Sequence, residues 1–196
     1  METKTSKIGT ILTDEQIMVT IQNGDQSSYD TLVTRYQEDA LRLAYHYLHN
    51  WEDARDITQD AFVKVYLKAG SFDSMQKFKP WFFRILVNQC INVLNRKKKI
   101  KFFSLFQQIG QDNNGFLVDQ LTGEEASSTD FQTRQMVWNA LAKLTNSHRD
   151  VLILHEMQGF KEHEISEIMR CSVGTVKSRL YYAKEKMRKY LSKEIK

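Results

Sequence analysis

Between residues 161 and 190 the chain sets hydroxyl, guanidinium, phenol and ammonium groups at helical spacing. Thr175, Ser178, Arg179, Tyr182 and Lys186 fall on one helix face, Lys177 stands beside them, and Ser172 lies just ahead. Arginine and hydroxyl side chains pair with base edges, while lysines suit phosphate; Lys177 is expected on phosphate, with Lys184, Arg188 and Lys189. Val176, Leu180, Ala183 and Met187 form the apolar side of the same helix. A shorter helix, Glu162 to Met169, turns Ile165, Ile168 and Met169 inward, and Cys171-Ser172-Val173 is predicted as the turn between the two. A short helix, a tight turn and a second helix with a hydrogen-bonding outer face form a helix-turn-helix, the geometry that reads a major groove. A plain helical hairpin with a solvated face is the alternative. The basic excess of ten residues to five over 161–196 weighs against it.

A second set lies near the middle of the N-terminal half. Asp56, Gln59 and Asp60 are spaced i, i+3 and i+4 and so share one helix face, with Asp53 and Arg55 at its edge. Two carboxylates and an amide there can grip a basic helix of another protein. A third set follows: Lys77, Phe78 and Lys79 end a loop, and the next helix carries Arg84, Asn88, Asn92, Arg96, Lys97 and Lys98 opposite its apolar side. Asparagines are good readers of base edges, and the run Arg96 to Lys99 suits phosphate.

The elements that must position these groups are helical. One proline and eight glycines in 196 residues, 41% of them apolar, and few alternating runs predict an all-α protein. Thr13 with Gln16 is predicted to cap a first helix. Tyr29, Leu32, Val33, Tyr36, Ala40, Leu43, Ala44 and Tyr47 mark one face of a long second helix. Ala54, Ile57, Ala61 and Val65 mark a third, ended by Gly70-Ser71. Pro80 is expected as the first residue of a fourth, where its missing N–H costs nothing. Phe82, Ile85, Leu86, Cys90 and Val93 turn inward there, and Trp81 beside them is expected in the core rather than on a ligand. Further on, Ser147 is expected to cap a helix that Gly159 closes.

Charge divides the chain. Residues 1–101 carry +3, residues 102–130 carry −5 with no Lys or Arg, and residues 131–196 carry +6. The expected organisation is a lead-in (1–12), a helical bundle (13–101), a flexible acidic linker (102–130) and a second bundle with the helix-turn-helix (131–196). Phe102, Phe103, Leu105, Phe106, Phe116 and Leu117 make the linker unusually apolar, as if it docks on something.

The helix-turn-helix, with Leu144-Thr145, Gly159, Glu164-Ile165 and Gly174-Thr175-Val176-Lys177, fits both LuxR-type regulators and sigma factors. The N-terminal half separates them. Asp53-Ala54-Arg55-Asp56-Ile57-Thr58-Gln59-Asp60-Ala61-Phe62 resembles the sigma-factor segment that docks on the clamp helices of the polymerase largest subunit. Phe78-Lys79-Pro80-Trp81-Phe82-Phe83-Arg84-Ile85 and the Asn-rich helix after it resemble the part that melts and reads the −10 element. With a C-terminal motif similar to the −35 reader, the resemblance is to the extracytoplasmic-function sigma factors and spans about residues 14–192.

That resemblance implies core RNA polymerase and promoter DNA as partners, and an anti-sigma factor covering the polymerase-binding faces. It implies polymerase contact through Asp53, Arg55, Asp56, Gln59 and Asp60. The −10 set becomes Lys77, Phe78, Lys79, Arg84, Asn88, Asn92, Arg96, Lys97 and Lys98, with Phe78 and Lys77 in a pocket for an unstacked base. The −35 set becomes Ser172, Thr175, Lys177, Ser178, Arg179, Tyr182 and Lys186. The linker is then expected to thread through the polymerase. Its residues average about 30 Å as a coil, against roughly 70 Å for two duplex turns, so it must extend. Unlike the large housekeeping members, the protein is expected to lack an acidic N-terminal inhibitory region and an intermediate domain, the linker taking the latter's place.

The remaining readings are exclusions. His46, His49, His148, His155 and His163 have no companions that complete a metal set, and no phosphate loop or Ser/His/Asp arrangement appears. Catalysis, metal and cofactor are not expected. Cys90 and Cys171 are expected as reduced thiols. With no signal peptide and no run of about 20 apolar residues, a cytoplasmic protein is expected, without membrane insertion.

Overall fold

The computed structural model describes residues 12–25, 27–107 and 128–194, and every regular element among them is helical. Helix α1 (Asp14–Gln22) begins at the expected capping box: Gln16 N–H donates to Thr13 Oγ1 at 3.3 Å, and Thr13 N–H to Gln16 Oε1 at 2.9 Å. Helix α2 (Tyr29–Leu48) ends at His49, whose backbone is left-handed (φ 53°). Helix α3 (Trp51–Leu67) starts at once, because Asn50 accepts the Asp53 N–H at 2.9 Å. A 3₁₀ turn (Ala69–Ser71) follows, tied to α1 by Gln22, whose Nε2 donates to the Ala69 and Phe72 carbonyls at 2.8 Å each.

Helix α4 (Phe78–Gln107) is the spine of the N-terminal half. It starts two residues earlier than the sequence predicts. Glu15 of α1 accepts the Phe78 N–H at 3.2 Å, so the first turn is capped from outside, and Pro80 occupies its third position, where an N–H is still unneeded. The helix also runs past Lys101 into the stretch expected as linker, which narrows on the other side because α5 begins at Ser128. Of that stretch, residues 108–127 lie outside the described residues, as do 1–11 of the lead-in.

Aromatic rings fill the N-terminal core. Phe82 lies against Phe62 (4.9 Å between centroids), Phe78 (5.8 Å, nearly parallel) and Phe83 (5.0 Å, edge-on), with Leu32, Leu43, Ala61, Val65 and Leu86 around them.

The C-terminal half comprises α5 (Ser128–Ala142), α6 (Asn146–Leu152) running into a π-helical turn (Ile153–Met157), α7 (Glu162–Met169) and α8 (Val173–Glu194). Thr145, not Ser147, occupies the N-cap of α6. Gly159 supplies a positive φ of 68°, which lets the chain turn back toward α7. Leu144, Val151, Ile153, Leu154, Ile165, Val176, Leu180 and Ala183 form the core. The two halves touch, with α7 lying along the first turns of α4. Among the described residues no helix is long and apolar enough to cross a membrane.

Candidate nucleic-acid interface

Helix α3 buries Ala54, Thr58, Ala61, Phe62 and Val65, and that choice turns Arg55, Asp56, Gln59 and Asp60 outward together. Asp53 is half-buried at the edge of this face, where its carboxylate is ion-paired with Lys97 of α4. Continuing the face toward the C-terminus are Val63 and Leu67, 55% and 75% exposed, with Tyr66 beside them. Sequence reasoning missed this apolar extension. Its signal was the same i, i+3/i+4 spacing, running from Asp60 through Val63 to Leu67.

Along α4, Arg84, Asn88, Asn92 and Arg96 form a stripe four residues apart on the side away from the aromatic core. Asn88, Asn92 and Arg96 are exposed. Arg84 is only partly so: burial, then the nearby Arg170 guanidinium, lowers its pKa against an opposing effect of Glu167. Lys79 is half-buried with its ammonium 4.6 Å from the centre of the Phe160 ring, while Lys77 is exposed, 3.9 Å from Glu15. The Lys98 side chain lies outside the described residues.

Phe78 requires a correction. Its ring is 0% exposed, stacked on Phe82 and packed against Tyr36 and Phe72, so it belongs to the core and offers no surface to an unstacked base. The helix starts two residues earlier than expected, which carries Phe78 onto the inward face with Phe82. Trp81, 7% exposed and edge-on to Phe72 at 5.0 Å, is a core residue as expected, its rim reaching the cleft between the halves.

In the helix-turn-helix, Arg170 closes α7 in the left-handed conformation (φ 51°) and Ser172 opens α8. Ser172 Oγ accepts the Thr175 N–H at 3.1 Å and shares a 2.9 Å hydrogen bond with the Thr175 hydroxyl. Ser178 donates to the Gly174 carbonyl at 3.0 Å, so its hydroxyl is left with acceptor capacity only. Lys177, Ser178, Tyr182 and Lys186 are exposed, Lys177 lying 3.6 Å from Glu162. Arg179 is half-buried with a guanidinium nitrogen 3.8 Å from the Cys171 sulfur. The five residues from Thr175 to Arg179 therefore place two cations and two hydroxyls on the first turns of α8, the part of a recognition helix that meets bases.

Comparison with known proteins accounts for both halves. The family model for sigma-70 region 2 matches residues 32–100, and that for sigma-70 region 4 matches residues 134–187. The ECF RNA polymerase sigma-E factor of Escherichia coli K12 is 32% identical over 176 residues, covering 89% of this chain and 92% of that protein. The RNA polymerase sigma-H factor of Pseudomonas aeruginosa is 30% identical over 181 residues, covering 91% and 93%. Among solved structures, CnrH in complex with the cytosolic domain of CnrY has a TM-score of 0.67 at 21% identity, covering 91% of this chain and 97% of that one. The sigma factor RpoE in complex with the anti-sigma factor NepR, from Bartonella quintana, has 0.63 at 21%, covering 85% and 98%. Those two are likenesses of fold.

Two helical units matched in order by regions 2 and 4 define a promoter-recognition subunit of RNA polymerase. The chain belongs to the ECF sigma factors of the sigma-70 family. As a sigma factor it binds core RNA polymerase and promoter DNA and directs transcription initiation; the LuxR-type reading is set aside.

Proposed function

We propose that residues 13–101 form the unit that docks on the polymerase and reads and melts the −10 element. Residues 131–196 form the unit that reads the −35 element, and residues 102–130 tether the two. The exposed Asp56–Gln59–Asp60 face of α3 carries the docking assignment, because it presents carboxylates beside bare apolar surface at Val63 and Leu67. Charge steers a basic partner to such a face and the apolar area holds it. The outward stripe Asn88, Asn92 and Arg96, with Lys77 and Lys97 at its ends, meets the −10 strand, while Thr175, Lys177, Ser178, Arg179, Tyr182 and Lys186 meet the −35 duplex.

The chain works by positioning polymerase on DNA, in the cytoplasm, with no cofactor and no covalent step of its own. An anti-sigma protein covers the polymerase-binding faces when the factor is idle. The test is to mix the purified chain with core polymerase and look for a co-migrating complex and for transcripts from genomic fragments. A complex with promoter-dependent transcripts is the expected result. A complex that survives reversal of charge at Asp56 and Asp60 would move the docking face elsewhere.

A further inference from the structure

We propose that the cleft between the two halves is a binding site for a nucleoside polyphosphate, gripped by Arg84 from one half and Arg170 from the other. The halves meet along an aromatic seam. Phe160, from the loop ahead of α7, is 2% exposed and meets Phe83 of α4 edge-on, 4.9 Å between centroids. Lys79 of α4 lies 4.6 Å from the centre of the Phe160 ring. The start of α4 and the end of α7 stand apart as the walls of a cleft of about 620 Å³. Clefts that hold small ligands run from about 300 to 1,000 Å³.

Lys77, Arg84 and Arg170 border this space, against one carboxylate, Glu167, among its lining residues. Lys77 already stands 3.9 Å from Glu15. The two arginines have no such counter-charge: among the described residues neither guanidinium makes an ion pair or a hydrogen bond. They are close enough that Arg170, after burial, lowers the pKa of Arg84, with Glu167 opposing. A guanidinium stays charged across the range in which proteins work, so losing a proton cannot relieve this repulsion. An anion between the two can, and phosphate oxygens match the guanidinium fork through paired hydrogen bonds.

The rest of the lining selects what carries the phosphate. Met75 is 90% exposed there, with the buried Pro80 and the rim of Trp81 beside it. A thioether packs well on an aromatic ring, and a nucleobase offers such a face. Gln76 is half-buried, and among the described residues its amide has no partner, which leaves a donor and an acceptor for a base edge. A lone phosphate would use the arginines and leave this apolar side wet. A nucleotide uses both, its phosphates on Arg84 and Arg170 and its base on Met75 and Gln76. The site does not depend on the DNA assignments above, although Lys77, Arg84 and Ser172 belong to both.

The experiment titrates the full chain with ATP in a calorimeter at physiological salt. The expected result is one nucleotide per chain with a Kd on the order of 10–100 μM. Arg84→Gln and Arg170→Gln should each weaken binding at least tenfold, and Arg170→Lys should restore part of it. Both arginines are solvent-facing and unpaired, so unchanged circular dichroism is expected and confirms that the variants fold. Lys193→Gln, exposed at the far end of α8, controls for general basicity and should change nothing. Adenosine and inorganic triphosphate should each bind at least tenfold more weakly than ATP, and Met75→Ala should weaken ATP but not triphosphate. Failure of ATP to saturate, or equal losses from Lys193→Gln and the arginine variants, overturns the site. Triphosphate binding as tightly as ATP overturns the nucleotide. A short single-stranded oligonucleotide that binds through the same arginines, where ATP does not, assigns them to DNA alone and likewise overturns the proposal.

Discussion

The carboxylate of Asp53, at the edge of the docking face on α3, is ion-paired with the ammonium of Lys97, at the basic end of the −10 stripe on α4. The pair joins the two surfaces through which the N-terminal unit acts. Both partners keep solvent contact, 50% for the Lys97 side chain and 31% for that of Asp53, and exposed pairs contribute only about 0–1 kcal/mol. Lys97→Ala and Asp53→Asn are each therefore expected to lower unfolding stability by no more than ~1 kcal/mol. Lys97→Ala should reduce promoter binding by holoenzyme, and Asp53→Asn should reduce polymerase affinity. Denaturant titration and holoenzyme assembly read the two effects separately. A large loss of stability from either substitution would make the pair structural.

Charge reversal on the docking face is a sharper case. Asp56 and Asp60 are exposed on α3, one turn apart, and neither points into the core. Asp56→Lys with Asp60→Lys is expected to abolish assembly with core polymerase while leaving the far-ultraviolet circular dichroism unchanged. Val63→Ala and Leu67→Ala should weaken assembly without changing its salt dependence, because they remove area rather than charge.

Arg179 and Lys177 separate base reading from phosphate contact. If Arg179 pairs with a base edge, Arg179→Ala should cost about 1–3 kcal/mol on the cognate −35 duplex and relax the preference at one position. Lys177→Ala should weaken all duplexes alike and lower the slope of log K against log[salt] by ~1. Titrations on cognate and scrambled duplexes at two salt concentrations give both readouts. A uniform loss from Arg179→Ala would place its guanidinium on phosphate, as its half-buried position beside Cys171 makes physically possible.

Most of these faces were legible in the sequence because they follow from period alone. The spacing of Tyr29 to Tyr47, of Ala54 to Val65 and of Val176 to Met187 fixes which side of each helix is buried, and so which side carries Asp56, Lys177 and Arg179. Position in the helix start was harder. Pro80 marks the helix start in the sequence and so leaves Phe78 in the loop; Glu15, 63 residues away, caps the earlier turn, and no local signal carries that. The aromatic seam was illegible for the same reason. Nothing in the sequence around Phe160 says that its socket is Phe83 and Lys79, more than 70 residues upstream.

The contact between the two halves, where Trp138 of α5 packs against His49 and Asp150 of α6 faces Tyr47, should respond to pH through two opposing groups. Burial pushes the Asp150 carboxyl up to about 6 against the pull of Tyr47, Arg149 and Arg179, so the closed form holds a proton that an open form, near 3.8, has lost. Between those values, falling pH favours closure through Asp150. At the end of α2 and its cap, burial lowers His46 and His49 below 6.5, helped by Arg42 for the first and by His46 and Arg149 for the second, although His49 keeps an exposed surface. An open form takes up these protons first, so falling pH below 6.5 favours opening through the histidines. Tyr47 and Cys90, also facing the seam, are both raised and stay neutral throughout this range. The parent chain should therefore change little between about pH 4 and 6, its two responses opposed. Asp150→Asn should open progressively as pH falls through this range, and His46→Gln with His49→Gln should instead close more tightly as pH falls below about 6. Energy transfer between dyes on the two halves follows closure directly. Parallel profiles for the parent and both variants would remove proton linkage from the seam.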